Sequence, residues 1–472
     1  MIPIPQLLKD LAPGTIHTLI GGDGAGKTTI LRNLAFAHRS GNANSDIPVS
    51  YQPATSGVWP NLSVRENLEF ISQTFGMPTQ FAANRIDELI HLAGLSHAEH
   101  RIGRKLSGGM RQKLGVIMAM LPKPQLLLLD EPTTGVDSKS RITMWELITQ
   151  AAQEGTTVVL ATTYLDEAEK SDQVYLLDKG QLLAAGTPPE ICASAPGIIW
   201  QCHIDADAVL SMESIRIWRR GKTMYQWSPE THAEPPANMA TADFDLDLAT
   251  VAFLLQNTPD NRPKFPIHID VPSGKPLVDV QQATKRFGSF TALNNVSMKV
   301  CSGEIVGLIG SNGAGKSTLI RLILGLDRAT KGTVLLFGQT PQHITRSRIG
   351  YVPQSLGLYP SLNAQENLDF TTSVFHKQKM NSLFSDNQQP VITMPLGTQR
   401  NLAVECALSH APELLILDEP TSGMDALSRA MLWKTLRHAA SCGVGVLITT
   451  HYEQEALQCD RLITLENGRR IQ

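Results

Sequence analysis

Short apolar runs, bounded by glycine, proline or charged residues, alternate along the chain with segments of helical apolar spacing. Ile305-Val306-Gly307-Leu308-Ile309 has the length and unbroken hydrophobicity of a strand buried on both faces, and Thr318–Leu324 follows as a helix. Leu126–Leu129 and Leu414–Leu417 read as further buried strands, each ending in two carboxylates, and Val444–Ile448 as another. Strands alternating with helices predict an α/β fold with a mostly parallel core sheet. In the middle of the chain, Ile198–Ile204, Ile215–Trp218 and Thr223–Trp227 read as short strands. Phe244–Leu255 reads as a helix, with Phe244, Leu248, Val251, Ala252 and Leu255 on one apolar face and Asp243 placed to cap it. Residues 257–276, rich in proline and asparagine, read as a linker.

The pattern occurs twice. Leu126–Leu129 continues as Asp130-Glu131-Pro132-Thr133, and Leu414–Leu417 as Asp418-Glu419-Pro420-Thr421. Gly135-Val136-Asp137 and Gly423-Met424-Asp425 follow at equal distance, and Trp59–Leu68 is plainly related to Tyr359–Leu368. The expected organisation is two copies of one α/β unit, residues 1–190 and 277–472, with a small α/β appendage over 191–256 and the linker 257–276 between them. The copies differ. The second begins with a strand-like segment, Leu277–Val280, then Lys285-Arg286-Phe287-Gly288, and carries a hairpin-like stretch, Gly332–Gly338; the first has a counterpart of neither. The second is shorter between Tyr359 and Met394, so its helical insert is expected to be reduced.

Each copy holds the same chemical signal. Gly310, Ser311, Asn312, Gly313, Ala314, Gly315, Lys316 and Ser317 form G-x-x-x-x-G-K-[ST] between a strand and a helix, with Thr318 next. Gly21, Gly22, Asp23, Gly24, Ala25, Gly26, Lys27 and Thr28, followed by Thr29, repeat it. Small residues let backbone N–H groups close around phosphate oxygens at a helix N-terminus. Lys316 and Lys27 then reach the β/γ-phosphates, and Ser317 and Thr28 would hold Mg²⁺. Asp418 and Glu419 end a buried strand, where two carboxylates are costly without a cation, and Asp130 and Glu131 repeat the arrangement.

Composition narrows the remaining classes. At 472 residues the chain accommodates two or three domains, and a net charge of −3 offers no bulk electrostatic case for nucleic acid or an anionic membrane. The six cysteines form no C-x-x-C pair and read as reduced thiols. No apolar stretch reaches the roughly 18 residues of a membrane span, and the N-terminus lacks the pattern of a signal peptide. The chain is expected to work in the cytosol, and any membrane role to come through a partner.

Leu106-Ser107-Gly108-Gly109-Met110-Arg111-Gln112, upstream of the Asp-Glu-Pro-Thr strand, resembles the signature of ATP-binding-cassette (ABC) ATPases, and the resemblance covers nearly the whole chain outside residues ~190–276. Other P-loop NTPases, such as kinases and motors, lack this ordered set. The resemblance implies a head-to-tail pair in which each ATP lies between one domain's P-loop and the other's signature. By the same resemblance Asp418 and Gln354 help hold Mg²⁺, Glu419 polarises the attacking water, His451 contacts the γ-phosphate and Phe287 stacks on adenine. Catalysis is then mainly positioning and charge stabilisation.

Departures from the pattern concentrate. Opposite Gln354 the first copy has Ala54, opposite His451 it has Thr163, and it lacks the adenine-stacking aromatic. In the second copy Met394-Pro395-Leu396-Gly397-Thr398 stands where the signature should be, and Pro395 has no N–H to offer. In a head-to-tail pair these defects all fall in one composite site. The other joins Phe287, Lys316, Gln354, Asp418, Glu419 and His451 to Ser107, Gly108 and Gly109, and has every part. The resemblance is strongest to the drug-exporter (ABC-2) type, implying an ATP-hydrolysing subunit that drives separate integral-membrane permeases. The alternative is a soluble fused ABC ATPase acting on the ribosome, which usually carries a charged basic linker. A DNA-repair or chromosome-structural role would want zinc-type cysteines or a long coiled coil.

Overall fold

The computed structural model describes residues 11–37, 48–204, 214–260, 274–385, 387–450 and 453–471. Most of the expected linker, and His451, lie outside the described residues. The chain forms two units: the described residues of Met1–Ala195 with Phe244–Phe253, and those of Pro196–Asp243 with Leu254–Gln472.

The first unit is built on six strands, β1 (Ile16–Ile20), β2 (Val49–Gln52), β3 (Leu126–Asp130), β4 (Thr157–Thr162), β5 (Gln173–Asp178) and β6 (Gln181–Gly186), in the order β2-β3-β4-β1-β5-β6. All pair in parallel except β5 with β6. β1, β3 and β4 are buried along their whole length, because helices cover both faces of a parallel sheet. Two insert helices, Val64–Thr74 and Thr79–Leu92, pack on the helix Gly108–Met120 through Leu68, Ile86, Leu89, Leu114 and Ile117. Ser63 and Glu66 close a reciprocal capping box at the start of the first insert helix.

In the middle segment the structure adds a strand that the apolar pattern did not reveal. β7 (Ile198–His203), β8 (Ile217–Arg220), β9 (Thr223–Ser228) and β10 (Ala240–Thr241) make an antiparallel sheet ordered β10-β7-β9-β8. This sheet belongs to the second unit, fastened to the helix Ala426–Ser441 by Lys434, whose buried Nζ donates to the carbonyls of Ser214 (2.6 Å) and Ile217 (2.8 Å). The helix Leu246–Gln256 largely joins the first unit, where Leu246, Ala249 and Phe253 share a core with Ile20, Val174, Leu176 and Ile191. It is apolar nearly all round, and its buried residues exceed the single face that spacing suggested. Asp245, not Asp243, accepts from the Leu248 N–H at its start.

The second unit continues with β11 (Pro276–Phe287), β12 (Phe290–Cys301), β13 (Ile305–Ile309), β14 (Lys331–Leu336), β15 (Ile349–Val352), β16 (Leu414–Asp418), β17 (Gly445–Thr450), β18 (Arg461–Glu466) and β19 (Arg469–Arg470). The core sheet, β15-β16-β17-β13-β18-β19, repeats the first unit's order. β12-β11-β14 is an added antiparallel sheet: β14 pairs with β11, and the chain then folds back tightly at Phe337-Gly338, where Leu336 and Gln339 exchange both backbone hydrogen bonds (2.7 and 3.1 Å).

The second insert is reduced, as its length predicts: Ala364–Val374 remains, and no helix follows before the short turn Val391–Thr393 among the described residues. Two buried titratable groups lie near that shortened insert. Burial pushes the Glu405 carboxyl up to about 7, and burial against Phe375, with ring centroids 3.8 Å apart, brings His410 down to about 4. The folded state therefore holds the Glu405 proton more tightly than the unfolded chain, so its contribution to stability falls as pH rises from about 4.5 to 7. His410 acts in the opposite sense, losing stability as pH falls from 6.5 to 4. Over their shared window the two nearly offset. Glu405→Gln is expected to leave His410 unopposed, and the melting temperature of the variant minus that of the wild type should rise steadily from pH 5 to pH 7.5, by the equivalent of a few kcal/mol. Parallel melting curves across that range would disprove it.

Candidate nucleotide sites

In each unit a buried strand delivers the chain into the glycine loop. A Cβ on Gly310 would lie 2.4 Å from the Leu465 carbonyl, and one on Gly21 would lie 2.3 Å from that of Leu177, so only glycine lets the strand turn there. Gly315, at φ +105°, stands at the start of the helix Lys316–Ile323 in a conformation that suits glycine. Lys316 Nζ is buried and donates to the carbonyls of Gly310 (2.6 Å) and Ser311 (3.3 Å); Lys27 does the same to Gly21 (2.6 Å) and Gly22 (3.0 Å). Each ammonium is thus held in its own loop, where the helix N-terminus adds a favourable field for phosphate.

At the carboxylate pair the two units part. Glu419 and Glu131 both adopt left-handed backbone, at φ 51° and 47°, a strained choice for a non-glycine residue that clusters at functional sites. In the second unit Gln354 Nε2 donates to Glu419 Oε2 at 3.2 Å, which brings two sequence-predicted residues together. Thr449, on the neighbouring strand in register with Asp418, donates to Asp418 Oδ1 (2.7 Å) and accepts from the Glu419 N–H (2.9 Å). Arg400 Nη1 donates to the Glu419 carbonyl at 2.9 Å.

In the first unit the residue in register with Asp130 is Ala161, which has no hydroxyl, and its carbonyl takes the Glu131 N–H. Asp130 instead accepts from Thr28 (3.0 Å) and from the Tyr51 phenol (3.0 Å), and burial beside Asp130 raises the Tyr51 pKa. Glu131 faces Lys27 at 3.5 Å and accepts from Thr134 at 3.0 Å. Ala54 contributes only its carbonyl, to Gln112 (3.0 Å), and Gln52 also bonds Gln112 rather than standing in for a sensing amide. The buried Thr163 hydroxyl, at the position matching His451, has no partner among the described residues.

The oxygen donors at hand suit a hard divalent cation. Thr28 and Asp130 already meet in the first unit, and the second offers the Asp418 carboxylate, the Ser317 hydroxyl and the Gln354 amide oxygen. Thr449, Arg400 and Tyr51 were not singled out by motif. Only the strand register of Asp418 with Thr449 and of Asp130 with Ala161 exposes the threonine and its loss.

The signature positions also diverge. Ser107 caps the helix Gly108–Met120, its Oγ accepting from the Met110 N–H at 3.3 Å, and space stays open beyond Gly108. Pro395 caps the matching helix Leu396–Leu408 with no side-chain bond, and Leu396 fills the space over Gly423, where an added Cβ would lie 2.7 Å from Leu396 Cδ2. Phe287 ends β11 half-exposed, with Lys285 Nζ 4.9 Å from its ring centroid.

Comparison with known proteins identifies the family of the two units. Residues 6–134 and 293–422 each match the family described as ABC transporter. A protein of Escherichia coli (strain K12) named a probable multidrug ABC transporter ATP-binding protein, YbhF, is 30% identical, over 97% of this chain and 88% of that one. A Nod factor export ATP-binding protein I of Sinorhizobium fredii is 38% identical, over 41% of this chain and 61% of its own length. Among solved structures, an archaeal ribosome recycling factor, aABCE1, in complex with the ribosomal stalk protein aP1, superposes with a TM-score of 0.63 over 97% of this chain and 85% of that one. At 18% identity, that likeness extends to the fold alone.

Proposed function

This chain belongs to the ABC transporter family and is an ATPase, and we propose that it drives separate membrane permeases of the drug-exporter (ABC-2) type with one competent and one degenerate ATP site. The relative named for multidrug transport, aligned over 97% of the chain, supports the export reading. The observation that carries the one-site reading is Gln354 standing 3.2 Å from Glu419, where the first unit has Ala54.

In the competent site, Lys316 and the loop N–H groups bind the β/γ-phosphates. Mg²⁺, held by Ser317, Asp418 and Gln354, would neutralise charge on them. Glu419 polarises the attacking water, and Gln354 orients the Glu419 carboxylate. Thr449 and Arg400 fix the Glu419 backbone, so that carboxylate needs little reorganisation. Phe287 stacks on adenine, His451 contacts the γ-phosphate, and Ser107, Gly108 and Gly109 of the first domain complete the site. The degenerate site, with Gly21–Thr29, Asp130 and Glu131, holds Mg-ATP and keeps the pair together.

No helix among the described residues is long and apolar enough to cross a membrane. The permeases anchor the subunit on the cytoplasmic face of the inner membrane. Direct nucleic-acid binding is not part of the reading. A strand-built connector, rather than a charged basic one, disfavours the ribosomal alternative. Affinity purification of the tagged full chain from solubilised membranes should recover an integral-membrane permease. Sedimentation with ribosomes and no membrane partner would reverse the assignment.

A further inference from the structure

The helix Leu396–Leu408 of the second unit carries a carboxylate where its twin is apolar. With Met394–Thr398 set against Leu106–Met110, Glu405 corresponds to Ile117. Ile117 is fully buried in a core shared with Ile86, Leu89 and Ile90 of the helix Thr79–Leu92. The second unit has no counterpart of that helix among its described residues. A turn at Ser382–Phe384 lies over the Leu396–Leu408 helix instead, with Ser382 Oγ donating to Glu405 Oε2 (2.9 Å) and the Leu383 N–H to Oε1 (2.7 Å).

The turn covers less than a helix would, and a cavity of about 230 Å³ is left. Its walls come from the turn, the Leu396–Leu408 helix, the Ala426–Ser441 helix, and Ile215 and Thr258 of the middle segment. Among the described residues Glu405 is the single titratable group lining it, and Leu383, Phe384, Val404, Leu427 and Met431 supply its apolar surface. The carboxyl is 2% exposed and no lysine, arginine or histidine pairs with it among the described residues.

We propose that this cavity binds a small organic ammonium ion, with Glu405 as its counter-ion and the surrounding apolar side chains around its body. A buried carboxylate without a cation is costly, and the twin avoids the cost with isoleucine. Two neutral donors hold the Glu405 oxygens in place but leave the charge uncompensated, which is why burial lifts its titration to about 7. An ammonium group entering from the cavity supplies the missing positive charge through a charge-assisted hydrogen bond. The volume lies below the ~300–1,000 Å³ of drug-sized pockets, so the ligand is on the scale of a single ring or a short chain.

Benzylamine and its neutral counterpart benzyl alcohol test the assignment, titrated against the full chain at pH 8 and followed by calorimetry and thermal shift. The wild type is expected to bind benzylamine saturably with a Kd on the order of 1 mM, and benzyl alcohol about ten-fold or more weakly. Glu405→Gln should lower benzylamine binding to the level of the alcohol while ATP turnover persists. Should that variant fail to unfold cooperatively, Glu405→Ile, which copies Ile117, carries the same comparison. Benzylamine binding undiminished in the variants, alcohol binding as tight as amine binding, or no saturable binding to the wild type would each overturn the proposal.

Discussion

Glu419→Gln is expected to abolish steady-state ATP turnover by the full chain, a loss on the order of 100-fold or more, while Glu131→Gln lowers it only a few-fold. The substitution keeps size and shape but removes the charge that polarises water. The unequal outcome follows from the surroundings. Glu419 sits beside Gln354, with its backbone held by Thr449 and Arg400. Glu131 is engaged by Lys27 and Thr134, and Ala54 and Ala161 stand in place of Gln354 and Thr449. Lys316→Ala and Lys27→Ala should divide in the same way. Phosphate release at saturating ATP reads the result, and equal, complete losses from both sets would sink the one-competent-site proposal.

Ser107→Arg should silence turnover as fully as Glu419→Gln, although Ser107 lies in the first domain and Glu419 in the second. The reasoning rests on the proposed head-to-tail pairing, in which Ser107, Gly108 and Gly109 close over the ATP bound by Lys316. An arginine fills the open space beside Gly108 that phosphate must approach. Losing the Ser107 cap costs the helix about 1 kcal/mol, too little to unfold the domain. Fluorescent ATP-analogue binding should therefore persist while hydrolysis stops. Pro395→Arg, made at the matching signature position of the second domain, is expected to have a modest effect. Turnover that survives Ser107→Arg would remove the pairing from consideration.

The duplication, the two loops and the signature were legible because each is a local pattern. A strand, a glycine turn and a helix follow within about twenty residues, and their apolar periodicity follows from burial on the two faces of a parallel sheet. The reduction of the second insert could also be counted from chain length. The weak points lay where contacts are remote in sequence. β10 is two residues long and exposed, so periodicity cannot mark it. The pairing of β14 with β11 has no local mark either, because that strand lies more than forty residues upstream.

What the sequence by itself determined is the identity of the chemistry: two phosphate loops, two carboxylate pairs, one intact signature, and a set of departures concentrated in half of the motif positions. Those are properties of short segments, whose spacing suffices to specify strand, turn and helix. The tertiary structure alone decided which side chains support them. Strand register sets Thr449 against Asp418 but Ala161 against Asp130, and Tyr51 reaches Asp130 across 79 residues of sequence. It also divided the middle segment, giving its sheet to one unit and most of its helix to the other, and left Glu405 facing a cavity where Ile117 meets a helix. These outcomes depend on how distant apolar surfaces are covered, which no local pattern encodes.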